Sequence, residues 1–381
     1  MARIPIMRPS LPAYAAIAPY VRKIDESRCY TNNGPLVRRF EERLARRYST
    51  ADDTVVCVAN GTSALALALM AQSPRRGGLC LLPSFTFAAT AHAVCMAGLR
   101  PYFLDVDAET WALDSETARR AIHRLRAAGE TVSAVVSVSP FGAPVDPAPW
   151  AALMTSERVA VALDAAAAFS SVTLGDVPAA ISLHAVKLPG IGEGGFVLWR
   201  DADRVGAIRQ LANFGFGPER SSAAIALNAK MSEYHAAVGH AVLDAWDQRA
   251  SRYAHLARLY RTALSPLANV TLQPDWGASW CSSTLNVRTP GCAQALIERL
   301  DRDHAVDARQ WWAHPCHTMP AWTAAPRAAL PVTEALSEDV LALPFHDGVE
   351  PPQIARIVHA LGNALDAVRT PPAATAIGRR A

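Results

Sequence analysis

The sequence lacks the features that mark secreted and membrane proteins. The N-terminal segment Met1–Pro5 has no apolar signal region, and no apolar run approaches the roughly 18 residues that a membrane-spanning helix needs. The seven cysteines are an odd, scattered set, and Cys57, Cys80 and Cys95 lie in apolar runs. Such cysteines are typical of reduced core thiols rather than of a disulfide framework. We therefore predict a cytoplasmic protein with no membrane partner.

The sequence also lacks a strong excess of charge of either sign. Lys and Arg together number 37 against 34 for Asp and Glu, a net charge of +3, which predicts no nucleic-acid partner. Asp105 and Asp107 alternate at the end of an apolar run, a pattern more typical of turn capping than of catalysis. We predict no metal site, because the histidines and cysteine near position 314 match no closed zinc pattern. Those residues are His304, His314, Cys316 and His317.

The pattern of apolar residues predicts an α/β fold. The chain has 381 residues, of which 51% are hydrophobic, so it can bury a large core, and we predict two lobes. Helical patterns such as Ala88–Met96, Glu116–Ala127 and Pro149–Met154 separate the first five of seven strand-like runs, which favours a mostly parallel sheet covered on both faces. No helix separates the last two runs, which favours an antiparallel insertion. The seven runs are Thr54–Val58, Leu79–Leu82, Pro101–Asp105, Val132–Val138, Val159–Leu163, Ala179–His184 and Phe196–Trp199.

The turn between the last two strands carries Lys187. Glycines follow this lysine closely and would let a ligand approach the backbone, so the pattern indicates a nucleophilic amine held in a site. Asp164 ends an earlier buried strand, and a carboxylate approached through apolar residues needs a cationic partner. Together these residues predict a site for pyridoxal 5'-phosphate. Lys187 would bind its aldehyde and Asp164 its pyridinium nitrogen.

A candidate phosphate cradle lies near the start of the chain. Gly61, Thr62 and Ser63 follow the first predicted strand and open an apolar helical run. Backbone N–H groups at a helix N-terminus attract an anion. Taken alone, such a start is usually an ordinary N-cap. It gains specificity from the later aspartate and lysine, which occur in the expected order.

The second half of the chain predicts a smaller lobe. An apolar stripe from Ser232 to about Leu264 predicts one long helix that leads into it. Within the lobe we expect a strand at Thr284–Val287 and helices near Ala293–Asp301 and Pro352–Val368. We predict that residues 1–245 form an N-terminal arm and a large cofactor-binding domain, and that residues 246–370 form a small C-terminal domain. The tail, residues 371–381, is predicted to be disordered.

Motifs over nearly the whole chain resemble those of the DegT/DnrJ/EryC1/StrS sugar aminotransferases, which are fold type I pyridoxal phosphate enzymes. This resemblance implies a seven-stranded, mostly parallel sheet flanked by helices, with a smaller C-terminal α/β lobe. It also implies transfer of an amino group from L-glutamate to a nucleotide-linked 4-keto-6-deoxy sugar. The motifs include Tyr30–Val37, Asn60–Leu65, Pro83–Thr90, Asp164–Ala166, the Lys187 turn, Asn213–Phe216 and Asn228–Glu233.

The resemblance implies a role for several single residues. Lys187 would form the Schiff base with the cofactor and then move a proton, while Asp164 would keep the pyridine nitrogen protonated. Phe87 would stack on the cofactor ring, although Phe85 could take that role instead. Further residues are implied to bind the phosphate or the substrate. Ser182 would join Gly61, Thr62 and Ser63 at the phosphate, Asn228 would reach the phosphate from the second subunit of a homodimer, and Asn33 and His317 would contact the substrate.

One position departs from the family pattern. Many relatives carry histidine or glutamine three residues after the aspartate, near the phenolic oxygen of the cofactor, where this chain has Ala167. The departure puts that hydrogen bond in doubt but leaves Lys187 and Asp164 in place. Two alternatives to transamination remain open. The chain could be a cofactor-binding regulatory protein, or a dehydratase or decarboxylase that uses the same cofactor.

Overall fold

Seven strands form the central sheet, in the spatial order β1-β7-β6-β5-β4-β2-β3. Strand β7 runs antiparallel to both of its neighbours, and the other paired strands are parallel. The predicted mostly parallel sheet with one antiparallel insertion is therefore confirmed. The strands are β1 Val55–Val58, β2 Leu79–Pro83, β3 Arg100–Leu104, β4 Val132–Val138, β5 Ala160–Asp164, β6 Ala179–Ser182 and β7 Gly195–Leu198.

The computed structural model describes residues 2–369, so the predicted disordered tail lies outside the described residues. Within that range no helix combines the length and the apolar character needed to cross a bilayer. Seven helices precede or flank the sheet, and the short 3₁₀ helices Asp52–Thr54 and Pro140–Gly142 lie among them. The seven helices are α1 Tyr14–Ser27, α2 Pro35–Arg47, α3 Gly61–Met70, α4 Ala88–Met96, α5 Ser115–Ala127, α6 Pro147–Glu157 and α7 Ala202–Leu211.

Alternating residues of the sheet pack into two separate cores. In β1, Val55 and Cys57 belong to one core, whereas Val56 and Val58 belong to the other. The side chains of a strand point alternately to its two faces, so this division shows that both faces of the sheet are covered. Every residue of β1 is buried, which explains why the strand is a continuous apolar run in the sequence.

A partly buried ion pair lies at the open edge of the sheet beside β1, where Glu41 is buried and Arg209 is half-buried. Glu41 accepts the Cys57 N–H at 2.8 Å, and Arg209 from α7 donates to both carboxylate oxygens at 3.0 and 2.9 Å. The edge of a sheet presents unpaired backbone groups that could pair with another chain. Glu41 satisfies one of these groups and ties α2 and α7 to the sheet.

The long helix predicted from Ser232 to Leu264 is instead two helices, α8 Glu233–Asp244 and α9 Trp246–Leu264. The backbone leaves the helical conformation at Ala245, with φ −102° and ψ 7°. The two helices have different partners, because α8 packs against α1 and α2, whereas α9 packs against the C-terminal helix. The prediction of helical structure is confirmed over this span, and the prediction of a single helix is wrong.

A second, antiparallel sheet of three strands lies in the C-terminal part, in the order β10-β9-β8. The N-terminal arm also reaches this part, because Ile4 forms a bridge with Val306 and the Phe345 N–H donates to the Ile6 carbonyl. The division at residues 245 and 246 stays a prediction. The elements are β8 Thr271–Leu272, β9 Leu285–Arg288, α10 Ala293–His304, the 3₁₀ helix Cys316–Thr318, α11 Pro331–Asp339, β10 Val340–Leu343 and α12 Pro351–Arg369.

Candidate active site

The carboxyl ends of the parallel strands bring several predicted site residues to one edge of the sheet. Strand β5 ends on Asp164, β6 ends on Ser182, and β1 leads through a short turn into Gly61 at the start of α3. Residues that follow β2 include Phe87, which precedes α4. Ligands of open α/β sheets bind at this edge. The sheet therefore gathers residues that are far apart in the chain.

Asp164 is held by neutral hydrogen-bond donors. Its Oδ2 lies 2.7 Å from the Thr90 hydroxyl, and its Oδ1 accepts the Ala166 N–H at 3.1 Å. Burial raises the pKa of the Asp164 carboxyl, and the bond from Thr90, the bond from Ala166 and the charge of Lys187 oppose that rise. This partly buried carboxylate has donors that favour its ionised form, and the positive charge of Lys187 acts on it as well. This environment suits a carboxylate that must hold a charged ligand group.

Lys187 lies in a compact turn between β6 and β7. The Lys187 N–H donates to the His184 carbonyl at 2.8 Å, and the Ala185 N–H donates to the Gly192 carbonyl at 2.8 Å. A Cβ atom at Gly190 would lie 2.5 Å from the Ala185 carbonyl oxygen, so the turn requires glycine there. Burial lowers the pKa of the Lys187 ammonium, and Asp164 opposes that shift. A lysine whose pKa is lowered has more of the neutral amine that acts as a nucleophile.

The N-terminus of α3 lies against Ser182. A Cβ atom at Gly61 would stand 2.8 Å from the Ser182 Cβ, so only glycine allows this approach. Asn60 is the N-cap, and its side chain accepts the Ser63 N–H at 2.8 Å. By helix geometry, the N–H groups of Gly61 and Thr62 have no acceptor within the helix. They point with the positive end of the helix dipole toward the space beside Ser182, which suits an anion.

Phe87 and Phe85 have different environments. Phe87 is the N-cap residue of α4, and 63% of it is exposed beside the strand ends. Phe85 is only 1% exposed and packs edge-on against Phe141 and Trp312, with ring centroids 6.2 and 4.9 Å away. Phe85 is therefore a core residue. The exposure of Phe87 favours it as the residue that stacks on a ligand, which stays a prediction.

Asn228 lies beside the phosphate cradle of its own chain. Its neighbour Ala229 accepts the Ala59 N–H at 2.7 Å, and Lys230 forms a bridge with Val58. The Lys230 ammonium donates to Asn228 Oδ1 at 2.6 Å. An ammonium group can only donate, so the Asn228 side-chain oxygen accepts from Lys230. The NH₂ group of Asn228 points away from Lys230 and can donate to another group. This arrangement suits contact with an anion, and the predicted contact across a dimer remains untested.

The two predicted substrate contacts lie in different surroundings. The Asn33 carbonyl accepts from the Arg38 Nε at 2.9 Å, and within residues 2–369 no hydrogen bond joins Asn33 to Lys187 or Asp164. His317 is 6% exposed, and its Nδ1 lies 2.7 Å from the Ser84 hydroxyl. Ser84 follows β2, so His317 fastens its loop to the site edge. Substrate contact by either residue stays a prediction.

The other acidic and metal-competent clusters have structural contacts. Asp105 accepts the N–H groups of Val332 and Thr333 at 3.0 and 2.7 Å and so caps α11. Asp107 accepts the Thr110 N–H at 2.8 Å within a turn. The prediction of turn capping is confirmed for Asp107, while Asp105 caps a helix. In the described part of the chain, no group of three or more His, Cys, Asp or Glu side chains is placed to hold a metal ion.

Sequence reasoning missed Thr90, the hydroxyl donor to Asp164. This residue lies in the motif Pro83–Thr90, yet nothing in the local pattern distinguishes it from an ordinary helical threonine. The contact joins positions 74 residues apart, so only the fold reveals it.

The residues present fit pyridoxal phosphate. The partly buried carboxylate of Asp164, the amine of Lys187 with its lowered pKa, and the close approach of Gly61 to Ser182 match the pyridine, aldehyde and phosphate groups respectively. The fold is that of a fold type I pyridoxal phosphate enzyme, and the residues at the sheet edge fit that class. Such enzymes hold the cofactor beyond the carboxyl ends of the sheet strands.

The sequence profile of the DegT/DnrJ/EryC1/StrS aminotransferase family matches residues 14–362, and the chain belongs to this family, whose members depend on pyridoxal phosphate. It is 33% identical to Protein Rv3402c of Mycobacterium tuberculosis, over 95% of this chain and 90% of the relative. It is 27% identical to the dTDP-4-amino-4,6-dideoxy-D-glucose transaminase of Escherichia coli, over 94% and 98%. The crystal structure of DesI in the presence of its TDP-sugar product superposes with a TM-score of 0.84 at 30% identity, over 96% and 94%.

Proposed function

We propose that this protein transfers the amino group of L-glutamate to a keto-deoxyhexose carried on a nucleoside diphosphate. The observation that carries the proposal is the placement of Asp164 at the carboxyl edge of the sheet, within electrostatic reach of Lys187 and on the same edge as an anion cradle. The names of the transaminase relative and of DesI support a thymidine diphosphate sugar of the 4-keto-6-deoxy class.

The residues of the chain divide the work of such a transfer. When bound, the cofactor supplies an aldehyde that captures amines and a ring that accepts an electron pair. Asp164 would hold a proton on the pyridine nitrogen and so keep the ring electron-poor. The amine of Lys187 would hold the aldehyde group of the cofactor and could also move a proton at the donor carbon that bears nitrogen. The N–H groups of Gly61 and Thr62 and the Ser182 hydroxyl would bind the phosphate and fix the position of the ring.

The two amino transfers share one site, so the kinetics should be ping-pong. Glutamate alone should convert the bound cofactor to its amine form, seen as loss of its visible absorbance. Thymidine-, uridine- and guanosine-diphosphate keto sugars would then be screened by mass spectrometry for replacement of the carbonyl oxygen by nitrogen. No absorbance change with glutamate would favour a regulatory protein. Loss of water from the sugar without gain of nitrogen would favour a dehydratase.

We also propose that two subunits share each site. Large apolar side chains are exposed on the segment that carries Asn228, where Phe214 is 44% and Ile225 is 71% exposed. The Phe214 N–H donates to the Leu227 carbonyl at 2.9 Å, so the stretches that carry these two side chains run side by side, and exposed apolar surface of this kind marks protein contacts. The free NH₂ donor of Asn228 on this surface would meet the phosphate held by the second subunit. A symmetric dimer would repeat the contact at both sites.

Mixing two inactive variants tests the shared site. A Lys187→Ala subunit paired with an Asn228→Ala subunit would place both defects in one site and leave the other site intact. Activity should return to about half per heterodimer, once subunit exchange and the inactivity of each variant alone have been verified. Recovery would support donation across the dimer, and its absence would assign Asn228 to the site of its own chain.

A further inference from the structure

A chain of two buried hydroxyl groups ends on Asp164. The Thr86 and Thr90 hydroxyls lie 2.8 Å apart, and the Thr90 hydroxyl lies 2.7 Å from Asp164 Oδ2. Thr86 and Thr90 are 1% and 0% exposed, so water does not compete for these bonds. Neither threonine is part of the anion cradle or of the Lys187 turn. Their arrangement therefore needs an explanation of its own.

The charge of Asp164 fixes the direction of both hydrogen bonds. An ionised carboxylate can only accept, so Thr90 must donate its hydroxyl proton to Asp164. The Thr90 oxygen is then free to accept the hydroxyl proton of Thr86. If the carboxyl were protonated, it could donate to Thr90 and reverse the order. The orientation that runs from Thr86 through Thr90 to Asp164 therefore favours the ionised state, and bonds within such a chain strengthen one another.

Among the groups that oppose the effect of burial on the Asp164 pKa, Thr90 acts most strongly, ahead of the Ala166 N–H and of Lys187. Hydrogen bonds to a charged group are stronger than neutral ones. Removal of the Thr90 hydroxyl would leave the Ala166 N–H in place but would raise the proton affinity of the carboxyl. Asp164 would then compete with the pyridine nitrogen for the proton. In the wild type, by contrast, the ionised Asp164 stabilises that proton on the nitrogen.

We propose that Thr90 and Thr86 are positioning residues that keep Asp164 ionised and oriented toward the pyridine nitrogen of the cofactor. The proposal rests on the proposed function only in taking that nitrogen as the partner of Asp164, and it does not depend on which sugar is the substrate. Thr86 lies in the loop before α4, and Thr90 lies in the first turn of that helix. The start of α4 would thus contribute to the site in two ways: through the threonine hydroxyls that bind Asp164, and through the exposed ring of Phe87.

The test measures where the proton lies. Protein loaded with pyridoxal phosphate labelled with ¹⁵N in the ring would be compared by NMR at neutral pH as wild type, Thr90→Val, Thr90→Ser and Thr86→Val. The wild type should show a protonated ring nitrogen. Thr90→Val keeps the shape but removes the donor, so the ratio of ring-protonated to Asp164-protonated forms should fall by about tenfold. Thr90→Ser should restore the wild-type resonance, and Thr86→Val should give a smaller shift in the same direction.

A matched variant separates this role from simple packing. The Thr333 hydroxyl is also buried, and within the described residues it has no hydrogen-bond partner, so Thr333→Val should leave the resonance unchanged. Thermal unfolding of each variant checks that the fold is intact. An unchanged resonance in Thr90→Val, or an unprotonated ring nitrogen in the wild type, would overturn the proposal. A normal resonance pattern without amination of any sugar would contradict the proposed function and leave the role of the threonines standing.

Discussion

Two carboxylates in the large sheet region, the buried Glu41 and the partly buried Asp164, are held in opposite ways. Glu41 lies against the guanidinium of Arg209 at 2.9 and 3.0 Å. Asp164 accepts from Thr90 and Ala166, and within the described residues no Lys, Arg or His nitrogen lies within 4.0 Å of its carboxylate. Burial raises the pKa of both carboxyls. The two carboxyls differ in the group that acts most strongly against this rise in pKa, which is the Arg209 guanidinium at Glu41 and the Thr90 hydroxyl at Asp164.

The difference separates a structural charge from a functional one. The Arg209 guanidinium neutralises the charge of Glu41 within the folded protein, so this carboxylate has no charge left for a ligand. The pair also binds the edge strand β1 through the Cys57 N–H. Neutral donors at Asp164 orient the carboxylate and leave its charge available to a cationic group that arrives with a ligand. Changes at the Asp164 region should therefore remove activity and spare the fold. Changes at the Glu41 region should do the reverse.

The largest effect is expected from Lys187→Ala. Loss of the amine removes both the anchor of the cofactor and the base that moves the proton, so turnover should fall by about 10⁴-fold or more. The chain contains three lysines, Lys23, Lys187 and Lys230, which simplifies the assay. Borohydride reduction followed by peptide mapping should place the cofactor on Lys187 alone. The exposed Lys23→Ala serves as control and should keep both label and activity. Wild-type turnover in Lys187→Ala would disprove the assigned chemistry.

Asp164→Asn should lower turnover by on the order of 10³-fold, with little change in stability, because an amide has nearly the same shape but cannot hold a pyridinium proton. The matched control is Asp107→Asn, which changes an exposed turn carboxylate beyond the end of β3, a strand that does not pair with β5. Turnover with glutamate and a keto sugar would be compared alongside urea unfolding. If Asp164→Asn kept most of its activity, the assignment of Asp164 to the pyridine nitrogen would be wrong.

The sequence predicted the sheet well because burial on both faces leaves a direct signal. Strands such as β1 and β4 are buried at every position and so form continuous apolar runs. The ends of these runs located Asp164, and the unusual glycine-rich turn located Lys187. Both signals are local, because they depend on neighbours in the chain.

Features that depend on distant partners escaped prediction. The break at Ala245 follows from the different packing partners of α8 and α9, while the apolar stripe continues through it. The bond between His317 and Ser84 joins residues 233 positions apart, and no spacing rule predicts it. Thr90 was missed for the same reason. The supporting contacts of the candidate site are tertiary, whereas its predicted reactive residues lie at a strand end and a turn that the sequence marks.

Glu41→Gln tests the structural side of the comparison. The amide cannot neutralise Arg209, so the free energy of unfolding should fall by about 3 kcal/mol. Activity per folded molecule should stay unchanged, because the pair lies at the β1 edge rather than in the site. Urea unfolding would be compared with that of Glu116→Gln, a change in an exposed helical pair that should cost well under about 1 kcal/mol. Equal stability of the two variants would contradict a structural role for Glu41.

A second structural cluster, centred on the fully buried His240 of α8, extends the comparison to pH. Its Nε2 lies 3.0 Å from the Leu36 carbonyl, and the Arg43 guanidinium lies 3.1 Å from its Nδ1. Guanidinium can only donate, so Nδ1 must accept and the imidazole is neutral. Tyr20 stacks on the ring, and Asp244 binds both Arg43 and the Tyr20 hydroxyl. The cluster joins α1 and α2 to α8.

The smallest effect is expected from acidification of this cluster. Burial lowers the pKa of His240 to about 4, below its ordinary value of 6.5. The unfolded chain therefore binds a proton at a higher pH than the folded one, and stability falls as the pH drops through that window. Proton linkage at His240 should lower the free energy of unfolding by about 2 kcal/mol between pH 7 and pH 5. His240→Gln should remove this component of the slope in urea unfolding, whereas the exposed His359→Gln should not. The same change of stability with pH in the wild type and in His240→Gln would show that His240 is protonated in the folded protein as readily as in the unfolded chain.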